Sequence, residues 1–141
     1  MTEDGRAANA RRGWPEMDVL LVEDEPLVRE LLAEDMADAG LDVAEAPNAE
    51  AALGAAAAAG EAGRPPCVLV TDVDLGAGMD GLALAAEVRR RWPGVGVVYV
   101  TGRPSNLDGH ALGARERFLT KPFALARLTT AVRDLMGRSG R

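Results

Sequence analysis

Five short runs rich in valine and leucine, at residues 19–22, 41–44, 68–71, 95–100 and 117–120, punctuate this chain, and segments of helical periodicity lie between them. Most of the runs lack the polar/apolar alternation of a half-solvated strand. A strand apolar at nearly every position must be covered on both faces, and a parallel sheet with helices packed on each side meets that demand. Strand–helix alternation of this length points to an α/β, doubly wound arrangement.

The helical segments carry their own start and stop signals. The first has Pro26 in its opening turn, apolar residues Leu27, Val28, Leu31, Leu32 and Met36 at helical spacing, and Gly40 as its stop. The second, over 49–59, is mostly alanine and should pack closely with little to anchor it. The third, over 82–92, turns Leu84, Ala85 and Val88 inward and ends in Arg89-Arg90-Arg91, where the helix dipole favours cations; that run reads as a solvated cap. The last, over 125–136, places Leu125, Leu128, Val132, Leu135 and Met136 on one face before Gly137. Residues 102–114 interrupt the pattern. They contain Pro104, Gly109 and Gly113 and few apolar side chains, so a short or irregular fourth helical element is expected there.

Residues 1–16 are small, polar and arginine-containing, and read as a flexible leader. The folded domain is expected over 17–138, with a tail at 139–141. The 141 residues carry a net charge of −6, which argues against nucleic acid as a partner. The single Cys67 reads as a small core residue and excludes an intramolecular disulfide, consistent with a reducing cytoplasm. No apolar stretch reaches the roughly 20 residues of a membrane span. Trp14 and Trp92 read as packing residues.

Chemistry is expected where the strands end. In an open parallel sheet, ligands gather beyond the carboxyl ends of the strands, which would bring Glu23-Asp24, Asp72, Thr101 and Lys121 to one rim. Three carboxylates so placed repel one another, by about 4 kcal/mol per pair at ~4 Å and an effective dielectric of 20, so the cluster calls for a cation. Oxygen ligands favour a hard divalent ion, and Mg2+ fits best; one His and one Cys make zinc a poor match. Fifteen of the sixteen basic residues are arginine, so the lone Lys121 marks a position suited to a compact ammonium on a flexible stem.

These motifs together resemble the receiver domains of two-component response regulators, from about Asp18 to Gly137. The likeness rests on Val-Leu-Leu-Val-Glu23-Asp24-Glu25-Pro26, Val-Leu-Val-Thr-Asp72-Val-Asp74-Leu, Met79-Asp80-Gly81, Val-Tyr-Val-Thr101-Gly102 and Lys121-Pro122-Phe123, in that order. It implies a flavodoxin-like (βα)5 fold with strand order 2-1-3-4-5. Asp72 would accept a phosphoryl group from a phosphohistidine on a histidine kinase or a histidine phosphotransfer protein. Glu23, Asp24, Asp72 and the backbone carbonyl of Asp74 would hold Mg2+, and the Asp74 side chain could reach its water shell. Lys121 would pair with a phosphate oxygen, Thr101 would swing inward as the switch hydroxyl with Phe118 as its aromatic partner, and Pro122, commonly cis in the family, would position the lysine. Such a domain is no enzyme beyond promoting its own phosphorylation and dephosphorylation.

The chain departs from the family pattern in places. The loop from Asp72 to Asp80 is one residue longer than usual, lacks the customary proline and carries two glycines, which could widen the pocket mouth and alter phosphate lifetime. Phe118 stands where many members have tyrosine; a plain core role is equally open to it. The Thr101-Gly102 arrangement is similar to a subset of stand-alone receivers from alphaproteobacteria, and the leader beginning at Met1 favours a stand-alone protein. His110, the only histidine, reads as a loop residue away from the rim. A haloacid-dehalogenase-type phosphatase would also use an Asp-x-Asp motif, yet there it lies on the first strand, whereas here an acidic pair precedes Asp72. The same motifs would also suit an interaction module that no longer takes phosphate, or a receiver cut from a hybrid histidine kinase. The downstream protein target is unknown, no membrane partner is expected, and dimerisation through the last helix is left open.

Overall fold

The computed structural model describes residues 17–137; the leader, Trp14 and the tail lie outside them. Among the described residues are five strands, four α-helices and one 3-10 turn: β1 (Val19–Val22), α1 (Pro26–Asp38), β2 (Val43–Ala46), α2 (Ala49–Glu61), β3 (Val68–Asp72), α3 (Gly81–Arg91), β4 (Gly96–Thr101), the 3-10 turn (Pro104–Leu107), β5 (Glu116–Thr120) and α4 (Leu125–Gly137). All strand pairs are parallel, in the order β2-β1-β3-β4-β5. The three central strands β1, β3 and β4 are buried at every residue, which accounts for their unbroken apolar runs.

Side chains alternate across the sheet and build two cores. On one face Leu20, Val22, Leu69, Val97 and Tyr99 pack against Ala49, Ala52 and Ala56 of α2 and Leu84, Ala85 and Val88 of α3. On the other, Val19, Leu21, Val68, Val70, Val98 and Val100 meet Leu32 and Met36 of α1 and Leu128, Val132 and Leu135 of α4. Small alanines let α2 approach closely, and at its end Gly60 lies against Trp92, where an added Cβ would stand 2.7 Å from the indole. Trp92 is therefore a packing residue. Cys67 is half-buried beside the second core.

Several expectations need correction. The second strand starts two residues later than its apolar run, because Gly40 at φ +91° closes α1 and the Leu41 N–H then donates to the Met36 carbonyl, while Asp42 is held by Asp18. Leu27 and Leu31 share helical spacing with the core residues of α1 yet lie outside, Leu27 at 80% exposure. Phe118 is not core; it is 44% exposed on β5. The face of β5 that carries Phe118 is the one a regular helix between β4 and β5 would cover, and residues 102–114 supply only the 3-10 turn there. The basic run is only partly a solvated cap. Arg90 and Arg91 pair with Glu87 on the surface, whereas Arg89 turns toward buried Glu116.

Candidate metal and phosphoryl site at the carboxyl rim

Strand register brings the expected residues together. Glu23 follows β1 and its N–H donates to Ala46 O; Asp72 ends β3, paired with Val100; Thr101 ends β4, paired with Thr120; and the Lys121 N–H donates to Thr101 O. Four strand ends thus deliver their side chains to one rim from positions 98 residues apart in sequence.

At its centre the Lys121 ammonium lies 2.9 Å from Asp72 Oδ2 and 3.3 Å from Glu23 Oε1. The remaining oxygens are also engaged: the Asp74 N–H donates to Asp72 Oδ1 at 2.9 Å, and the Glu25 N–H to Glu23 Oε2 at 3.0 Å. Glu23 is 2% exposed and Asp72 8%, whereas Asp24 is open to solvent. Burial pushes the Glu23 carboxyl above the usual range and the Asp72 charge adds to this, while Glu25 N–H and Lys121 oppose it. For Lys121 burial works against the ammonium, but its bonds to Asp72 and Glu23 prevail and hold it above the ordinary lysine range.

One oxygen from each of Glu23, Asp24 and Asp72 lies within 4.8 Å of the others, a set able to hold a hard cation. The donors fit Mg2+: all are oxygens, two are buried and fixed by backbone N–H groups, and the third, on Asp24, is exposed to water.

The loop after β3 closes over this corner. Gly76 and Gly78 take φ values of +74° and +91°, and a Cβ on them would stand 3.5 Å from Asp24 Oδ2 and 3.3 Å from Glu50 Oε2 respectively. Asp80 caps α3 by accepting from the Ala83 N–H, and the Gly81 N–H donates to Val73 O. Gly81 packs so closely that an added Cβ would lie 2.1 Å from the Asp72 carbonyl oxygen. Only glycine lets α3 begin directly against the Asp72 backbone.

Thr101 is turned away from the carboxylates. Its hydroxyl accepts from the Arg103 N–H at 2.9 Å and donates to the Arg103 carbonyl at 3.1 Å. The Lys121–Pro122 peptide is cis, as expected. Phe118 lies beside Tyr99 in the register, and the Tyr99 hydroxyl donates to Glu116 Oε2 at 2.6 Å.

Three features of the site have little or no signal in the linear sequence. Gly81 shows there only as part of a turn motif. Buried Glu116 gathers the Tyr99 hydroxyl, the Gly113 N–H, Arg89 and the His110 ring, and so ties the helix-poor segment to β4 and α3. His110 is therefore away from the rim, as expected, but not idle in a loop; nothing in the linear pattern pairs it with Glu116. Arg29, in the first turns of α1, donates to the Glu23 carbonyl at 2.8 Å. Its one signal is a cation near a helix N-terminus, where the dipole disfavours it.

A model of the response regulator receiver domain matches residues 19–133. The chain is 36% identical over 123 residues to the transcriptional regulatory protein AruR of Pseudomonas aeruginosa, covering 85% of this chain and 49% of that protein. It is 36% identical over 127 residues to the transcriptional regulatory protein FixJ of Azorhizobium caulinodans, covering 86% and 56%. The chain thus spans about half the length of these relatives. The crystal structure of a response regulator receiver protein from Sinorhizobium medicae superposes with a TM-score of 0.77 at 24% identity, over 87% of this chain and 96% of that one, a likeness of fold.

Proposed function

This chain belongs to the response regulator receiver domains, and from that premise we propose that it relays a signal by accepting a phosphoryl group on Asp72. Receiver domains are signalling modules of two-component systems rather than enzymes in the ordinary sense. The observation that carries the reading is the Lys121 ammonium bridging Asp72 and Glu23 at a rim where Asp24 stands within ligand distance.

Asp72 Oδ2 attacks the phosphorus of a phosphohistidine on a histidine kinase or phosphotransfer protein; the P–N bond breaks, its electron pair returns to the imidazole, and an acyl phosphate forms. Glu23, Asp24 and Asp72, with the Asp74 carbonyl, would hold Mg2+, which would offset charge on the transferring group. Lys121, already hydrogen-bonded to the attacking carboxylate, transfers its contact to a phosphate oxygen. Pro122 fixes the lysine's approach. Thr101 gives up its two bonds to Arg103 to donate to the phosphate, which pulls on residues 102–115 and carries the change to the face around Phe118. The output is contact with a further protein or onward transfer of the phosphate, in the cytoplasm; among the described residues no helix is long and apolar enough to cross a membrane.

The test is intact mass after incubation with acetyl phosphate and Mg2+, for the wild type and Asp72→Asn. A gain of one phosphoryl group that requires both metal and Asp72 supports the reading. No gain from acetyl phosphate or from phosphorylated kinase overturns it, and leaves an interaction module on the same fold.

A further inference from the structure

Arg29 stands in the opening turns of α1, where the aligned peptide dipoles disfavour a cation. It is nonetheless held inward. Its side chain is only 20% exposed, Nη1 donates to the Glu23 carbonyl at 2.8 Å, and Nε lies 3.6 Å from Glu45 Oε1. Glu45 belongs to β2 and is in register with Leu21 of β1, so the guanidinium spans three elements at the point where β1 leaves the sheet.

The bonded carbonyl has a particular position. Glu23 has just made its last sheet bond, from its N–H to Ala46 O, and its carbonyl begins the turn that carries Asp24 and Glu25 into α1. The direction of that carbonyl fixes the peptide plane between Glu23 and Asp24, and hence where the Asp24 N and Cα, the base of its exposed side chain, stand. Glu23 is fixed by burial and by the Glu25 N–H, whereas Asp24, exposed, has no comparable packing.

We infer that Arg29 is a positioning residue of the cation site: by clamping the Glu23 carbonyl against β2 it presets the Glu23–Asp24 peptide so that both carboxylates reach the ion together. The inference rests on the reading that these carboxylates hold a divalent cation. A competing role has the opposite sign. If Arg29 acted only through its charge, it would repel the ion, and its removal would tighten binding; as a clamp, its removal loosens binding.

Mn2+ serves as the probe, being a divalent ion that oxygen ligands also accept. Its affinity is measured by water-proton relaxation on the wild type, Arg29→Met and Arg29→Lys, at a temperature where each is fully folded by circular dichroism. Methionine keeps an apolar stem and removes the donors; lysine keeps a single donor and the charge. Arg29→Met should bind about tenfold more weakly, at the low end of what the loss of a ligand-orienting group costs, and Arg29→Lys should recover most of that. Unchanged or tighter binding in Arg29→Met overturns the clamp while leaving the cation site intact. If Arg29→Met does not fold, Arg29→Lys must still bind within a few-fold of the wild type, and a loss as large as tenfold there overturns it. Absence of Mn2+ binding by the wild type, or binding unaffected by Asp24→Asn, overturns the cation site itself, and the clamp with it.

Discussion

Replacing Lys121 by methionine removes the one cation between two buried carboxylates while keeping a stem of similar length. At an effective dielectric of about 20, charges 2.9 and 3.3 Å apart attract by about 6 and 5 kcal/mol. A third of the lysine side chain is exposed, so solvent screens a good part of this, and desolvation offsets more. The carboxylates left behind, with oxygens within 4.8 Å, repel by at least about 3.5 kcal/mol at the same dielectric. Protonation limits the damage, because one carboxyl can take up a proton instead of remaining an unpaired charge. Without metal at pH 7 we therefore expect a loss of about 2–3 kcal/mol, or roughly 10 °C in Tm for a domain of this size. The pH dependence has a definite sign. The folded variant holds a proton that the unfolded chain has released, so its stability falls as pH rises, by about 1.4 kcal/mol per unit at most. The gap to the wild type closes toward pH 5. Saturating Mg2+ should close it too, since the ion takes over the neutralising role. Thermal unfolding by circular dichroism, in EDTA and in Mg2+ across this pH range, provides the measurement. Equal Tm values in EDTA, or a deficit that ignores both metal and pH, would refute the electrostatic account of the pocket.

Two further outcomes follow from the surroundings of the site. Gly81→Ala forces a Cβ to 2.1 Å from the Asp72 carbonyl, so α3 or the end of β3 must move; a loss of about 1–3 kcal/mol in urea unfolding is expected, and a midpoint equal to the wild type's would show that the contact yields freely. Tyr99 is the chain's only tyrosine, and burial, followed by its bond to Glu116, pushes its phenol well above the ordinary value of 10.0. Its ultraviolet titration should show no tyrosinate in the folded protein near pH 10, and stability should fall above that pH because only the unfolded chain then releases the proton; a normal titration would contradict the burial of the Tyr99–Glu116 pair.

Much of the architecture was legible in the chain because local rules and the tertiary arrangement agree. Runs apolar at every position demand cover on both faces, and β1, β3 and β4 have it. Pro26 and Gly40 mark the ends of α1 for reasons internal to the backbone, and the poverty of helix formers in 102–114 foretold the short 3-10 turn. The site was legible for a related reason: in a parallel sheet the residue at or just past the end of each strand must come to the same rim, so Glu23, Asp72, Thr101 and Lys121 could be grouped from the sequence.

What the sequence could not contain is anything that depends on which faces and which distant groups meet. Leu27 and Leu31 obey the same helical spacing as Leu32 and Met36, yet α1 turns only the latter pair onto the sheet and leaves the first two in solvent. Phe118 could have been core or surface until the lack of a regular helix between β4 and β5 left its side of β5 uncovered. The partners of Glu116, the closeness of Gly81 to the Asp72 carbonyl and the grip of Arg29 on the Glu23 carbonyl are contacts between elements that share no periodic signal. Periodicity reports what each segment wants to bury, and spacing reports which strand end it follows. The close distances that tune a carboxylate or place a cation arise only when the packed elements choose their neighbours.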